Sequence, residues 1–448
     1  MNFRSGIYRA RGHLIFLLGL LVSFSIILAL EGVEAEQARS AAGRPEPTQM
    51  QAMLEAAGQA PVAQPLPLSP DQVAWAQLAW RYFEQNVHPE TGLPGSVDRF
   101  FGVTAWEIGS YLNALVSAQR LGLITPGAFD DYMVRALDSI GKLPLYAGSL
   151  PNKSYDVRSL KMTDYNGEPT EDGIGWSALD LARLLIAMEI VEAGYPEHAE
   201  KIAAIEKGWR IDAMLLNGVM VGRLPTNPEP VQEGRLGYEE YAAKGLVRLG
   251  LDAYRALEVA DTVHFVDAMG VLVPVDDRHA EQFDAEVCTT SEPYVLEGLE
   301  MGFDARSRAS AWAVLRAQQA RARATGLPTA LSEGHVPGAP YFVYGCVVGN
   351  GVPWAVLSPQ GERFDQLRFL DTKSVFGWSA LMPNEYTSGL LSQIFPLNDP
   401  ERGWFTGRFE ADGATNGTIT ANTNAIILES LHFRAFGPLL TFPGRARS

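Results

Sequence analysis

The sequence predicts an all-α fold, an (α/α)6 toroid of inner and outer helices with short β-hairpins in the rim loops. Three observations lead there. First, from Asp71 to about Gly437 the apolar pattern alternates between two textures. Segments such as TAWEIGSYLNALVSAQRLGL from Thr104 and GIGWSALDLARLLIAMEIV from Gly173 are apolar almost all round and must be covered on every side. Others, such as RSRASAWAVLRAQQARARA from Arg306, carry one apolar stripe opposite charges and keep a solvent side. Second, a body of about 370 residues shared among twelve helices allots about 31 to each with its connection, which suits six antiparallel helix pairs. Third, GWSAL recurs at Gly175–Leu179 and Gly377–Leu381, each time read as opening an all-round apolar helix.

In chain order, an outer segment at 71–86 precedes an inner helix from near Thr104, and an outer segment at 126–141 precedes an inner one from near Gly175. Outer 197–209 with Ile202, Ile205 and Trp209 on one face, inner from Leu236, outer 252–260, inner from Glu292 and outer 306–324 follow. Inner helices from near Phe376 and Asn422 complete six; a sixth outer helix is not placed. Asp, Glu, Ser, Thr or Asn precede several starts, and Gly122, Gly250, Gly302 and Gly437 lie near ends. The stretches 210–235, 262–290 and 338–372 are long and hold β-type runs, TVHFV from Thr262 and PYFVYGCVV from Pro340, expected as short strand pairs on the rim.

The flanks divide the chain further. Residues 1–35 place Arg4, Arg9 and Arg11 before the apolar run Leu14–Leu30 and a small-residue site at Val33-Glu34-Ala35. A cleaved signal peptide is preferred, but the run at 14–30 is long enough to remain as an inner-membrane tether. Either way the body is expected in the periplasm or secreted. Residues 36–68, rich in Ala, Pro and Gln, read as a tether, 69–440 as one toroid domain and 441–448 as a tail. Cys288 and Cys346 could pair or stay as buried thiols. The 448 residues carry 36 Lys+Arg against 52 Asp+Glu, a formal charge of −16. That balance argues against nucleic acid as a partner.

No phosphate-binding loop, dinucleotide fingerprint, H-E-x-x-H, G-x-S-x-G or C-x-x-C occurs. The seven His are scattered singly, so no metal and no cofactor are expected. What the chain offers is carboxylates beside aromatics at inner-helix starts: Asp98, Trp106 and Glu107; Asp164, Tyr165 and Trp176; Glu233, Tyr238 and Glu239; Glu292 and Tyr294; Trp378, Glu385 and Tyr386. Trp404 joins the aromatic candidates. Flat rings suit pyranose faces and carboxylates accept from hydroxyls. Glycosidic hydrolysis needs two carboxyl groups in different environments. For any single carboxylate, helix capping is about as good a reading, and a lone Trp in an apolar helix is more often core. Glu240, with Lys244 four residues on, is read as a surface pair and set aside. Glu107 stands out as a carboxyl inside an otherwise apolar helix.

The strings ETGLPGSVDRF, TAWEIGSYLNALVSAQRLGLI, LPNKSYD, GIGWSALDLARLL, EGRLGYEEYAAKGL, TKSVFGWSAL and RGWFTGRFEADGATNGTITANTNAIILESLHFRAFGPLL resemble the bacterial domain-of-unknown-function 3131 family from about Asp71 to Leu440. That family is in turn distantly similar to glucoamylase-like (α/α)6 domains, a group including enzymes that act on β-1,2-glucans. The resemblance implies an exported protein associated with polysaccharides and carries over no catalytic residue. The expectation is a glycoside hydrolase on a neutral bacterial glycan of β-glucan type. Glu233 or Glu239 is the expected acid, Glu107 or Asp98 the base, and Asp164 a reserve. An inverting mechanism would hold the pair about 6.5–9.5 Å apart. The rival reading is a non-catalytic polysaccharide-binding or assembly component; a lyase is weaker, since Arg99, Lys153, Arg158 and Lys161 are the only nearby cationic cluster.

Overall fold

Hydroxyl, carboxamide and carboxylate caps set where most helices begin. The structure, a computed structural model, describes residues 47–278 and 286–440. Its helices are α1 Pro47–Ala56, α2 Pro70–Asn86, α3 Ala105–Arg120, α4 Pro126–Ile140, α5 Ala178–Gly194, α6 Ala199–Lys207, α7 Tyr238–Arg248, α8 Glu292–Glu300, α9 Ala305–Thr325, α10 Thr372–Leu381, α11 Glu385–Ile394 and α12 Ala421–Phe436. Ser69 and Gln72 form a capping box on α2, Thr125 accepts from the Ala128 N–H on α4, and Asn384 and Thr387 box α11.

The two textures separate as expected. Helix α3 packs on α5, α5 on α7, α7 on α8, α8 on α10, α10 on α12, and α12 again on α3. In α3 the side chains from Glu107 to Ala118 are all buried. The amphipathic partners lie against them: α2 on α12, α4 on α3, α6 on α5, α9 on α8 and α11 on α10. The outer segment expected at 252–260 is only a 3-10 turn, Tyr254–Leu257, packed on α7. Gly250 at φ +83° ends α7's extension and the strand Val263–Asp267 soon follows, leaving room for little more than one turn. The unplaced outer helix is α11, a ten-residue element in which only Thr387, Leu390 and Ile394 are buried.

The GWSAL echo does not survive as a structural equivalence. The first copy straddles the start of α5, whereas the second forms the last five residues of α10. Gly175 there has φ +100° because the Trp176 backbone pairs with Arg223; a Cβ would stand 1.7 Å from the Arg223 carbonyl oxygen.

Seven small sheets, counted among the described residues, decorate the connections. The expected strand pairs are present: Val263–Asp267 with Leu272–Asp276, and Glu333–His335 with Phe342–Gly345. Cys288 and Cys346 form a disulfide beside the strand pair Cys288–Thr289 and Val348–Gly349. Part of the stretch read as a tether is structured: Met53 and Ala57 pack on Ala309 and Ala313 of α9, and the Ala60 carbonyl accepts from Arg308 at 2.7 Å. Residues 1–46, with the leader and the 14–30 run, and 441–448 lie outside the described residues. Among the described residues no helix is long and apolar enough to cross a membrane.

Candidate active site

At the N-terminal ends of α3 and α5, carboxyl groups meet with few cations among them. Glu107 occupies the third position of α3, where its Oε2 accepts from Ser96 Oγ and the Thr104 N–H at 3.2 Å each and from the Thr104 hydroxyl. No donor among the described residues reaches its Oε1. The strand Gly102–Thr104, paired with Ser154–Asp156, feeds α3 and brings Lys153 alongside. Asp180 occupies the third position of α5, after the cap Ser177. The hairpin Val219–Leu224 with Asn227–Gln232 delivers Glu233, whose Oε2 accepts from the Ala178 N–H and, at 3.4 Å, from the Leu179 N–H.

These groups shape one another. Burial first, then the Glu233 and Glu107 carboxylates, raise Asp180 to about 7, with Lys153 and Ser177 opposing. Glu233 is raised by burial, against Lys153, Ser177 and the α5 N–H groups. Tyr165 is 60% exposed on the loop above, and its hydroxyl lies within electrostatic reach of Asp180, Glu233, Tyr344 and Glu107. Asp180, Glu233, Lys153 and Tyr344 are all half-buried, so solvent and ligands reach them.

Next to this cluster, Glu292 at the first turn of α8 accepts from Trp106 Nε1 at 3.2 Å and Asn422 Nδ2 at 2.7 Å, and pairs with Lys373. Trp106 and Tyr238 meet edge to face at 5.7 Å and are half-buried. The Arg183 guanidinium lies 4.8 Å from the Trp106 ring centroid. Arg183 also pairs with Glu300 at 2.9 Å and Glu429 at 3.4 Å with no exposure on any of the three side chains. The Tyr241 hydroxyl donates to Glu300 at 2.5 Å.

Of the candidates from the sequence, Glu107, Glu233, Tyr165, Trp106 and Tyr238 stand in or beside this region. Asp98 does not: it is held by Arg402 at 3.1 Å and Asn86 at 3.2 Å. Asp164 caps its own turn, accepting from the Asn166 and Glu168 N–H groups at 2.8 and 2.9 Å. Glu239 pairs with Arg278 at 2.6 Å, which itself grips Asp276. Trp378 and Trp404 are core, at 0% and 1% exposure, with Nε1 on Ser291 Oγ and the Trp75 carbonyl, and cannot stack on a sugar. Trp176 is buried against Tyr146. Glu385 is exposed on the outer helix α11, beside Gln319 and Arg323 of α9. Lys244 pairs with Glu297 and Asp304 instead of Glu240, which caps the Gly237 N–H at 2.6 Å and is raised to about 7 by burial.

Asp180 was not singled out from the sequence because, between a capping Ser and an apolar helix, it has the look of an ordinary first-turn carboxylate. Only convergence with Glu233, 53 positions on, gives it a second meaning.

The profile of the family described as "Protein of unknown function (DUF3131)" matches residues 74–437. No curated protein matches the chain. Among solved structures, a candidate glucoamylase from Bacteroides fragilis NCTC 9343 superposes with a TM-score of 0.62 at 11% identity, over 84% of this chain and 93% of that one. The endo-β-1,2-glucanase of Chitinophaga pinensis, in complex with sophorotriose and glucose, gives 0.58 at 10% identity over 83% and 94%. A variant of the Talaromyces funiculosus endo-β-1,2-glucanase with β-1,2-glucan gives 0.53 at 14% over 83% and 84%. At these identities the likeness is one of fold.

Proposed function

This chain belongs to the DUF3131 family, and from that premise we propose that it is a glycoside hydrolase acting on a bacterial polysaccharide of β-glucan type. The closed order of packing among α3, α5, α7, α8, α10 and α12, with partners outside, supports reading the fold as an (α/α)6 toroid. The N-terminal apolar run supports export to the periplasm or beyond, by a cleaved or retained leader.

One observation carries the enzymatic reading: Asp180, raised to about 7, faces Glu233 and Glu107. Among the described residues three carboxyls are raised to about 7, but Asp371 is fully buried against Lys373 and Glu240 answers chiefly to burial and backbone donors. Asp180 alone of these is half-buried with other carboxylates as its chief electrostatic neighbours. A carboxyl that keeps its proton near neutrality can give it to a leaving glycosidic oxygen, and a neighbouring carboxylate can take one from water. In this reading Asp180 is the acid, Glu107 the base through its unengaged Oε1, and Glu233 the group that holds Asp180's proton on. Trp106, Tyr165 and Tyr238 supply ring faces for a neutral glycan. The likeness to glucanases that bind sophorotriose and β-1,2-glucan supports that substrate class.

Incubating the protein with a panel of β-glucans, β-1,2-glucan included, tests this. Reducing ends should appear without unsaturated products. Glucan binding without new ends would instead favour a binding component.

A further inference from the structure

On the outer face of the molecule, three potential ligand atoms converge from two elements. Asp130 stands in α4, and Glu197 and His198 in the 3-10 turn Pro196–His198 that leads into α6. One carboxylate oxygen from each acid and one imidazole nitrogen all lie within 4.8 Å of one another. The acids are exposed, but His198 is only 5% exposed, packed beside the Phe129 ring at 6.1 Å. Its Nε2 is buried and makes no hydrogen bond; the Asp130 Oδ1 stands 3.5 Å from it. A buried nitrogen whose nearest carboxylate stands 3.5 Å away and makes no hydrogen bond with it is costly.

We infer that Asp130, Glu197 and His198 bind a divalent transition cation such as Zn2+. Ligand atoms about 2.1 Å from such an ion stand roughly 3 to 4 Å apart, so a small closure of the two exposed carboxylates completes three of the ligand positions and leaves the rest to water. A neutral imidazole with two carboxylates presents two negative charges to a doubly positive ion. The nitrogen ligand favours zinc-like ions over Ca2+ or Mg2+, which take oxygen. An ion here would tie α4 to the α5–α6 corner and supply the acceptor-side partner that Nε2 lacks. The sequence offered no warning: the seven His are scattered singly, and His198 meets Asp130 only through the packing of outer helices.

The test is calorimetric titration of ZnCl2 at pH 7.5 into chelator-treated full-length protein, with thermal melts in parallel. One-to-one saturable binding and a raised melting midpoint are expected, with weaker responses to CaCl2 and MgCl2. Asp130→Asn and Glu197→Gln alter exposed side chains and should fold, yet each should weaken zinc binding by about tenfold or more. No saturable binding would overturn the inference. So would binding that these two variants leave unchanged, which would place the ion at another His. Glycan cleavage should be unaffected by either variant, which keeps this outcome separate from the hydrolase reading.

Discussion

Among the described residues, two of the carboxylate clusters along the inner helices are built on opposite principles. In the buried one, Arg183 sits between Glu300 and Glu429, Tyr241 donates to Glu300, and the side chains have no exposure. Glu429 is pushed well up, first by burial and then by the Glu300 charge, while the Arg183 guanidinium opposes both. In the other, the Glu233 and Glu107 carboxylates both act on half-buried Asp180 at the first turns of α3 and α5, with Lys153 the cation acting on both Asp180 and Glu233. The first cluster sets a buried cation between its carboxyls and fixes helices; the second leaves a carboxyl whose proton is poised to move. Compensation by charge, more than the mere presence of buried acids, separates the group that holds the fold from the group that can do chemistry.

The largest expected effect breaks the first cluster. Arg183→Met strands two buried carboxyls and removes the cation over Trp106, and should cost about 3–5 kcal/mol of stability in a denaturant titration. Asp180→Asn should do the reverse: glucan hydrolysis falls by about 10²–10⁴-fold while the fold is kept. Its stability should also change with pH in a defined direction. A carboxyl raised on folding binds its proton more tightly in the folded state, so wild-type stability declines as pH climbs from the unfolded value near about 4 to about 7. Asp180→Asn should flatten that decline in melts across pH 4–8.

Glu233→Gln sharpens the comparison more gently. Removing its charge should lower the pKa of Asp180 and move the alkaline limb of activity to lower pH, by an amount read from the rate profile. Glu385→Gln, on the outer face, should change neither stability beyond about 0.5 kcal/mol nor activity.

Much of the scaffold was legible because burial on all sides and burial on one side leave different periodicities. Five of the six inner helices begin within three residues of their expected starts, Glu292 opening α8 at the residue expected, whereas α10 begins at Thr372, four residues before Phe376. What failed was short or context-bound. The ten-residue α11 offers too few apolar positions to show a stripe, and the single turn at Tyr254 has no capping pattern of its own. GWSAL misled because five residues carry no record of where a helix starts, and Trp378 consequently lies deep inside α10 where Trp176 precedes α5. The site was legible in kind but not in membership. Glu107, Glu233, Asp98 and Glu239 all read as carboxylates near aromatics, and the arginines folded against Asp98 and Glu239, Arg402 and Arg278, distinguish these two from the candidate pair. Those partners are 304 and 39 positions away along the chain, beyond the reach of any local pattern.

As the proposed acid, Asp180 has to lose its proton near neutrality, and the contrast between the two clusters rests on that. The most direct measurement is the pH–rate profile of glucan hydrolysis by the wild-type protein. The account predicts a fall in rate as pH passes about 7, the range to which Asp180 is raised. A rate that stays level from pH 6 to about 9, or an Asp180→Asn variant as active as the wild type, would contradict it.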